Sequence, residues 1–240
     1  MNAAAVPPAP AAPAARADGP RATTRTSVAL LLALTFSTGV ADAVGYLGLD
    51  KVFTGNMTGN VVILGMGAAG ADDLPVLGPV CALVAFMAGA VLGGRLVRGR
   101  PDGWGRRVSL LMLPVAAVLA ACAVAAALVP DVGEEGAATV AVAASVAVAM
   151  GLQAAVARHV AVKDLTTVVV TSTITGLAAD SPLGAAADQP WVRRALAIVL
   201  IAAGAAVGAL LLQAGLAWGL GASAVLTTVV ALVGLRASRG

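Results

Sequence analysis

The stretch ALAIVLIAAGAAVGALLLQAGLAWGLGASAVLTTVVALVGL, residues 195–235, contains no Asp, Glu, Lys, Arg or His over 41 positions. A membrane-spanning helix needs ~20 predominantly apolar residues, so this run is long enough for two. A connection between them is predicted near residues 213–219, where Gln213 interrupts the apolar pattern. The chain is therefore predicted to be an all-α integral membrane protein.

The composition of the whole chain supports this prediction. Of 240 residues, 60% are hydrophobic and 11% are charged, whereas soluble domains have ~25% charged residues. The mean hydropathy is +0.95. The net charge of +3 is too small and too scattered to indicate nucleic-acid binding.

Few residues of this chain are suited to catalysis or to metal binding. His159 is the only histidine, and Cys81 and Cys122 lie far apart in uncharged stretches. Both cysteines are predicted to be small buried apolar residues. We therefore expect no metal site, no cofactor and no enzymatic activity.

The uncharged stretches and the arginine positions predict the topology. Six full spans are expected at about 27–49, 74–94, 108–129, 137–157, 195–213 and 217–235. With residues 52–71 and 165–179 not crossing, every arginine cluster falls on one side, which the positive-inside rule makes cytoplasmic together with both termini. Seven spans, with 52–71 crossing, is the alternative. Trp104, Trp191 and Trp218 are expected at the membrane interfaces.

Outside the spans, the Ala/Pro-rich residues 1–26 are predicted to be a disordered cytoplasmic tail. Residues 27–236 are predicted to form a single transmembrane domain, followed by a short cytoplasmic tail at 237–240.

An internal repeat divides this domain into two halves. Residues 52–59 match residues 169–176 at four of eight positions, at an offset of 117. Each half contains, in order, a span, a Thr/Gly segment and two further spans. Repeat one covers 27–129 and repeat two covers 137–236. Because three spans is an odd number, the repeats are predicted to be inverted.

Each Thr/Gly segment is predicted to be a half-helix or a re-entrant segment. The β-branched residues at 165–174 favour an extended strand, whereas Thr58-Gly59-Asn60 offers N-cap candidates for a short helix. Tight helix packing by small residues is the alternative interpretation. Gly89 with Gly93, and Gly204 with Gly208, are predicted to be packing pairs.

Asp42 lies inside the first predicted span, where an acid costs ~2.5–3.5 kcal/mol on insertion scales. It therefore requires either a bonding partner or a functional role. We expect it to couple the movement of a proton or cation to that of a solute. A shallow position near the outer interface is the alternative. Gln153 lies at the corresponding place in span four and is neutral.

Several runs resemble the YoaK-type family of bacterial membrane proteins across residues 27–236. They are Gly39 to Tyr46, Val52 to Asn60, Gly151 to Ala155, and the threonine-rich runs from Thr166 to Thr171 and from Thr175 to Ala178, with mild departures at Gly55 and Ser172. The resemblance implies a polytopic bacterial inner-membrane protein of unassigned function, without a substrate or a cofactor. The matching positions are Asp42, Asn56, Thr58, Gly59, Asn60, Gln153, Thr171 and Thr175.

Taken together, these features predict a small secondary transporter or permease for a small polar solute bound between the two Thr/Gly segments. A passive pore and a non-transport membrane scaffold are the alternatives. The expected partners are the lipid bilayer and an unknown small solute, with a homo-oligomer as a further option. The predicted solute-binding residues are Asp42, Asn56, Thr58, Gly59, Asn60, Gln153, Thr171, Thr173 and Thr175.

Overall fold

The computed structural model describes residues 24–71, 74–162 and 170–239, which contain eight helices and no β-strand. The helices are α1 (Thr24–Gly48), α2 (Met57–Ala68), α3 (Leu77–Val97), α4 (Arg106–Leu128), α5 (Ala137–His159), α6 (Val170–Ala179), α7 (Trp191–Leu212) and α8 (Leu216–Ala237). Six of them are long and apolar enough to cross a membrane, whereas α2 and α6 are short apolar helices. The predicted all-α membrane fold with about six spans is confirmed.

Two predicted boundaries are wrong. The first helix begins at Thr24, so residues 24–26 of the predicted disordered tail are helical; residues 1–23 lie outside the described part. The strand expected at 165–174 is a helix from Val170 onward, and residues 165–169 are not described. Helix prevails over β-propensity because, away from water, a helix satisfies its backbone N–H and C=O groups within one segment.

The first and seventh helices pack closely through glycines. A Cβ atom at Gly204 would meet the carbonyl oxygen of Phe36, and one at Gly208 would lie 3.0 Å from the Cα of Val40. Because the residue numbers of the two contacts rise together, α1 and α7 run parallel.

The third and fifth helices make the same kind of contact. A Cβ atom at Gly89 would meet the carbonyl oxygen of Val148, and one at Gly93 would lie 3.0 Å from the carbonyl oxygen of Leu152. These helices are also parallel. The prediction that both glycine pairs serve helix packing is confirmed.

The segment that follows α1 turns back into the bundle. A Cβ atom at Gly55 would lie 3.0 Å from Cγ2 of Thr38, and Thr38 lies ~15 Å along the helix from Gly48 at ~1.5 Å per residue. The second helix then returns, because a Cβ atom at Gly67 would lie 3.3 Å from the carbonyl oxygen of Leu74, close to the start of α3. A Cβ atom at Gly78 of α3 would also lie 2.7 Å from Cγ2 of Val52. Residues 52–71 thus start and finish near one end of the bundle, and α2 is not among the six helices long enough to cross a membrane.

The tryptophans divide into two groups. Trp191 and Trp218 expose most of their rings at the starts of α7 and α8, as an interfacial position requires. Trp104 is fully buried and donates from Nε1 to Oγ of Ser109 at 2.8 Å. Its indole fills the space beside Gly234 of α8 and is packed inside the protein instead of being exposed.

The two cysteines are free thiols, with Cys122 buried and Cys81 half-buried. Among the described residues, no group of three or more His, Cys, Asp or Glu side chains could hold a metal ion.

Candidate functional site

The carboxylate of Asp42 holds the unwound segment between α1 and α2. Its Oδ1 accepts hydrogen bonds from the backbone N–H groups of Thr54 at 3.0 Å, Gly55 at 2.6 Å and Asn56 at 3.2 Å. These N–H groups precede α2 and have no helical partner, so an anion can satisfy three of them at once. Asp42 is buried, and its carboxylate is turned toward this loop.

Asn60 fixes the same segment from the other side. Its Oδ1 accepts from the backbone N–H of Phe53 at 2.8 Å, and its Nδ2 donates to the carbonyl oxygen of Phe53 at 2.6 Å. One buried amide thereby satisfies both backbone groups of Phe53, in the manner of a paired strand. Asn60 is a residue that positions the loop.

The N-cap of α2 is Asn56, whose Oδ1 accepts from the backbone N–H of Gly59 at 3.3 Å. The predicted caps at Thr58-Gly59-Asn60 are wrong because the helix already begins at Met57. A Cβ atom at Gly59 would lie 2.6 Å from the ring of Phe53. Glycine is required here for the ring to pack on the first helical turn.

A cavity of about 370 Å³ lies between the beginnings of the two short helices. From the first half it is lined by Asn56, Thr58 and Gly59, and from α6 by Thr171. The rings of Tyr46 and Phe53, stacked with centroids 4.8 Å apart, form one wall, and Val62 and Ile63 complete the lining. The N-terminal turn of α2 directs its partial positive charge to this place.

The structure brings four of the nine predicted site residues to this cavity: Asn56, Thr58, Gly59 and Thr171. Asp42 and Asn60 form hydrogen bonds with the backbone of the loop behind this cavity. Thr173 is buried in α6, and Thr175 is exposed with its hydroxyl bonded to the carbonyl oxygen of Thr171 at 2.9 Å. Gln153 is fully buried in α5 and donates to Oγ1 of Thr38 at 3.2 Å.

Sequence reasoning missed Tyr46, Thr38 and Thr54 as residues of this region. A signal for the first two was present, because residues four positions before and after Asp42 share its face of a helix. For Thr54 there was no such signal, since it lies in a loop whose path depends on Asp42.

Arg194 was also missed, because arginines at that place were interpreted only as topology markers. Its buried guanidinium donates from Nη1 to Oδ2 of Asp180 at 2.7 Å and to Oε1 of Gln189 at 2.9 Å. A Cβ atom at Gly176 would lie 2.9 Å from Cζ of Arg194. This side chain therefore ties the end of α6 to the start of α7.

Comparisons with known proteins place this chain in a family. A family model described as "Protein of unknown function (DUF1275)" matches residues 30–233. Over 68 residues the chain is 38% identical to UPF0700 transmembrane protein YoaK of Bacillus subtilis (strain 168). That alignment covers 28% of this chain and 30% of the relative, so it spans less than a third of the curated protein. No solved structure matches.

Proposed function

Because this chain belongs to the DUF1275 family, which is described only as proteins of unknown function, we propose a function from its own geometry. The protein is a small secondary transporter or permease, and a small polar solute binds in the cavity between α2 and α6. The observation that carries this proposal is that two short helices from different halves bring polar side chains of their first turns, Thr58 and Thr171, to one cavity. The cavity volume of about 370 Å³ lies within the usual range of small-molecule sites, ~300–1,000 Å³.

The solute class follows from the lining. Hydroxyl groups of Thr58 and Thr171 and the amide of Asn56 offer hydrogen bonds, and the first turn of α2 offers a positive dipole end. This combination favours a solute that carries acceptor oxygens. The paired rings of Tyr46 and Phe53 would cover its apolar part.

We further propose that α1–α4 and α5–α8 are inverted repeats. The glycine contacts support this, because they recur with constant shifts. A Cβ atom at Gly39 would meet the carbonyl oxygen of Ile201, just as one at Gly151 would meet that of Phe86. The shift from Gly39 to Gly151 is 112 residues and from Phe86 to Ile201 is 115.

The proposed location is the bacterial inner membrane with both termini cytoplasmic. One surface cleft is lined by Thr24, Asp102, Val160 and Arg193, so the start of α1, the α3–α4 loop, the end of α5 and the start of α7 share one end of the bundle. The helix-terminal arginines of α3, α4, α5, α7 and α8 belong to this end. Such an arginine-rich end is typical of the cytoplasmic side.

Asp42 is the proposed coupling group. Its three N–H partners include that of Asn56, whose side chain caps α2 and lines the cavity. A change in the charge or ligands of the carboxylate would alter these hydrogen bonds and move the cavity wall. Ion binding at Asp42 and solute binding at Asn56 would thereby be linked.

Thiol accessibility tests the cavity. In full-length protein with Cys81→Ser and Cys122→Ser, Thr58→Cys and Thr171→Cys are labelled with a membrane-impermeant reagent from each side. We expect both to label, and a transported solute to protect both. Leu183→Cys, fully exposed in the loop after α6, is the positive control for labelling. Failure of both cavity sites to label from either side would favour the scaffold interpretation.

Uptake into proteoliposomes then tests the function. Thr58→Val should lower uptake about tenfold, the effect of losing roughly one hydrogen bond of ~1.4 kcal/mol. Thr175→Val is the matched control, because its hydroxyl bonds within α6 and does not line the cavity. Flux linear in solute concentration, and indifferent to Asp42→Asn and to ion gradients, would identify a passive pore. No flux of any screened solute would contradict transport.

A further inference from the structure

A second polar cluster lies behind the cavity, between α1, α5 and the unwound loop. Gln153 is fully buried, and its Nε2 donates to Oγ1 of Thr38 at 3.2 Å. The hydroxyl of Thr38 already donates to the carbonyl oxygen of Leu34 at 2.9 Å. Thr38 can therefore only accept from Gln153, which fixes the orientation of the amide.

That orientation leaves Oε1 of Gln153 buried without a hydrogen-bond partner among the described residues. An acceptor in this position requires a donor or a cation, because burying it unpaired is unfavourable. A hydrophobic residue would fill the same space at lower cost.

A second buried oxygen lies close by. Oγ1 of Thr54 faces the carboxylate of Asp42 and has no other hydrogen-bond partner within the described part of the chain, while the backbone N–H of the same residue bonds Oδ1 of Asp42 at 3.0 Å. All three loop N–H groups bond Oδ1. None of these three N–H groups bonds Oδ2.

These groups are neighbours in space. A Cβ atom at Gly55 would lie 3.0 Å from Cγ2 of Thr38 and 3.4 and 3.5 Å from the two carboxylate oxygens of Asp42. Thr38 in turn contacts Gln153. A carboxylate, a hydroxyl and an amide oxygen thus belong to one buried cluster that is rich in acceptors.

We propose that Asp42, Thr54 and Gln153 form a binding site for a small monovalent cation, Na⁺, with Oδ2, Oγ1 and Oε1 as its ligands. Hard cations prefer oxygen ligands of this kind. A single carboxylate neutralises one positive charge, which favours a monovalent ion over a divalent one. The close packing around Gly55 favours a small ion over K⁺.

This inference deepens the proposed function, because it names the coupling ion. Coupling of Na⁺ to solute movement rests on the proposed transport function, whereas Na⁺ binding itself does not. Binding at Oδ2 would act on the same carboxylate that holds the N–H of Asn56. The ion site is therefore one residue away from the wall of the solute cavity.

Binding of Na⁺ is measured on the purified full-length protein without any solute. Thermal unfolding is followed through tryptophan fluorescence, to which the buried Trp104 contributes, while NaCl replaces choline chloride or KCl at constant ionic strength. Binding of radioactive sodium gives the affinity directly. We expect a saturable rise in the midpoint with Na⁺ and not with K⁺ or choline.

Two substitutions locate the site. Thr54→Val removes the hydroxyl and keeps the shape and the backbone N–H, and Gln153→Met removes Oε1. Each should weaken Na⁺ affinity about tenfold or more. Thr35→Val is the matched control, because this equally buried threonine of α1 donates to the carbonyl oxygen of Leu31 in its own helix. Its Na⁺ affinity should equal that of the wild type.

Absence of Na⁺-specific stabilisation in the wild type would overturn the proposal, as would unchanged Na⁺ affinity in both cluster variants. If Thr54→Val does not fold, Gln153→Met decides alone. The outcome is separable from that of the proposed function. Na⁺ binding without transport of any solute contradicts transport and leaves the site standing, whereas uptake by a protein that binds no Na⁺ contradicts the site.

Discussion

Asp42 shows at the scale of one residue how an acid is accommodated in a membrane helix. Its partners are three backbone N–H groups, and no basic side chain is needed to bond Oδ1. The sequence could predict that this acid requires a partner, because of the cost of a charge in an apolar span. It could not predict which partner, since every residue except proline carries a backbone N–H and none is marked in the sequence.

Substitutions of Asp42 should separate its role in holding the loop from its proposed role in coupling. Asp42→Ala leaves three N–H groups without their acceptor, so the free energy of unfolding should fall by roughly 3 kcal/mol or more. Asp42→Asn retains an acceptor oxygen and should lose less stability while losing coupled uptake. Thermal unfolding, with limited proteolysis of the loop at 49–56, measures the difference. Equal stability of the Ala and Asn variants would show that the loop does not depend on this acceptor.

At the scale of elements, the two short helices show what periodicity and propensity can predict. The Thr/Gly segments were predictable as elements that do not cross, because only then does every arginine cluster fall on one side. The helical state of Val170–Ala179 was not, since threonine and valine favour strands in water but a helix away from it. The cavity between the helices depends on their relative positions, which no local pattern encodes.

The glycine contact between α3 and α5 can be tested by substitution. Gly89→Ala places a methyl group against the backbone of Val148, so the free energy of unfolding should fall by about 2 kcal/mol. Gly94→Ala is the matched control in the same helix, because nothing lies within 4 Å of its Cβ position. That variant should be as stable as the wild type or more stable by up to ~1 kcal/mol.

Thermal unfolding of the two alanine variants in the same detergent provides the comparison. Equal loss of stability in both would mean that helix geometry alone, and not the contact with α5, explains the effect.

At the scale of the whole molecule, each half supplies helices that the other half needs. The first helix packs on α7 and α8, and the third packs on α5. Apolar run lengths and charge distribution were sufficient to predict six spans. They could not predict which spans pair, because 28 glycines are spread over the chain and small residues occur on many helix faces.

Cross-linking tests the pairing of α1 with α7. In the background without native cysteines, Ala43→Cys with Gly208→Cys should form a disulfide on mild oxidation, because a Cβ atom at residue 208 would lie 3.2 Å from that of Ala43. This is close to the ~3.5–4.5 Å of disulfides. Mass spectrometry of the cross-linked peptide measures it. Ala43→Cys with Gly94→Cys is the control pair and should remain reduced; an equal yield would contradict the pairing.

The parallel pairing of α1 with α7 also constrains the order of biosynthesis. The ribosome must make the whole stretch from Phe36 to Gly204 before the glycine contact between these helices can form. At about 5–20 residues per second, this takes roughly ten to thirty seconds. During that time the insertion machinery or lipid must cover the α1 surface that α7 later occupies. The first half therefore cannot complete its packing before the second half is made, because α1 needs both α7 and α8.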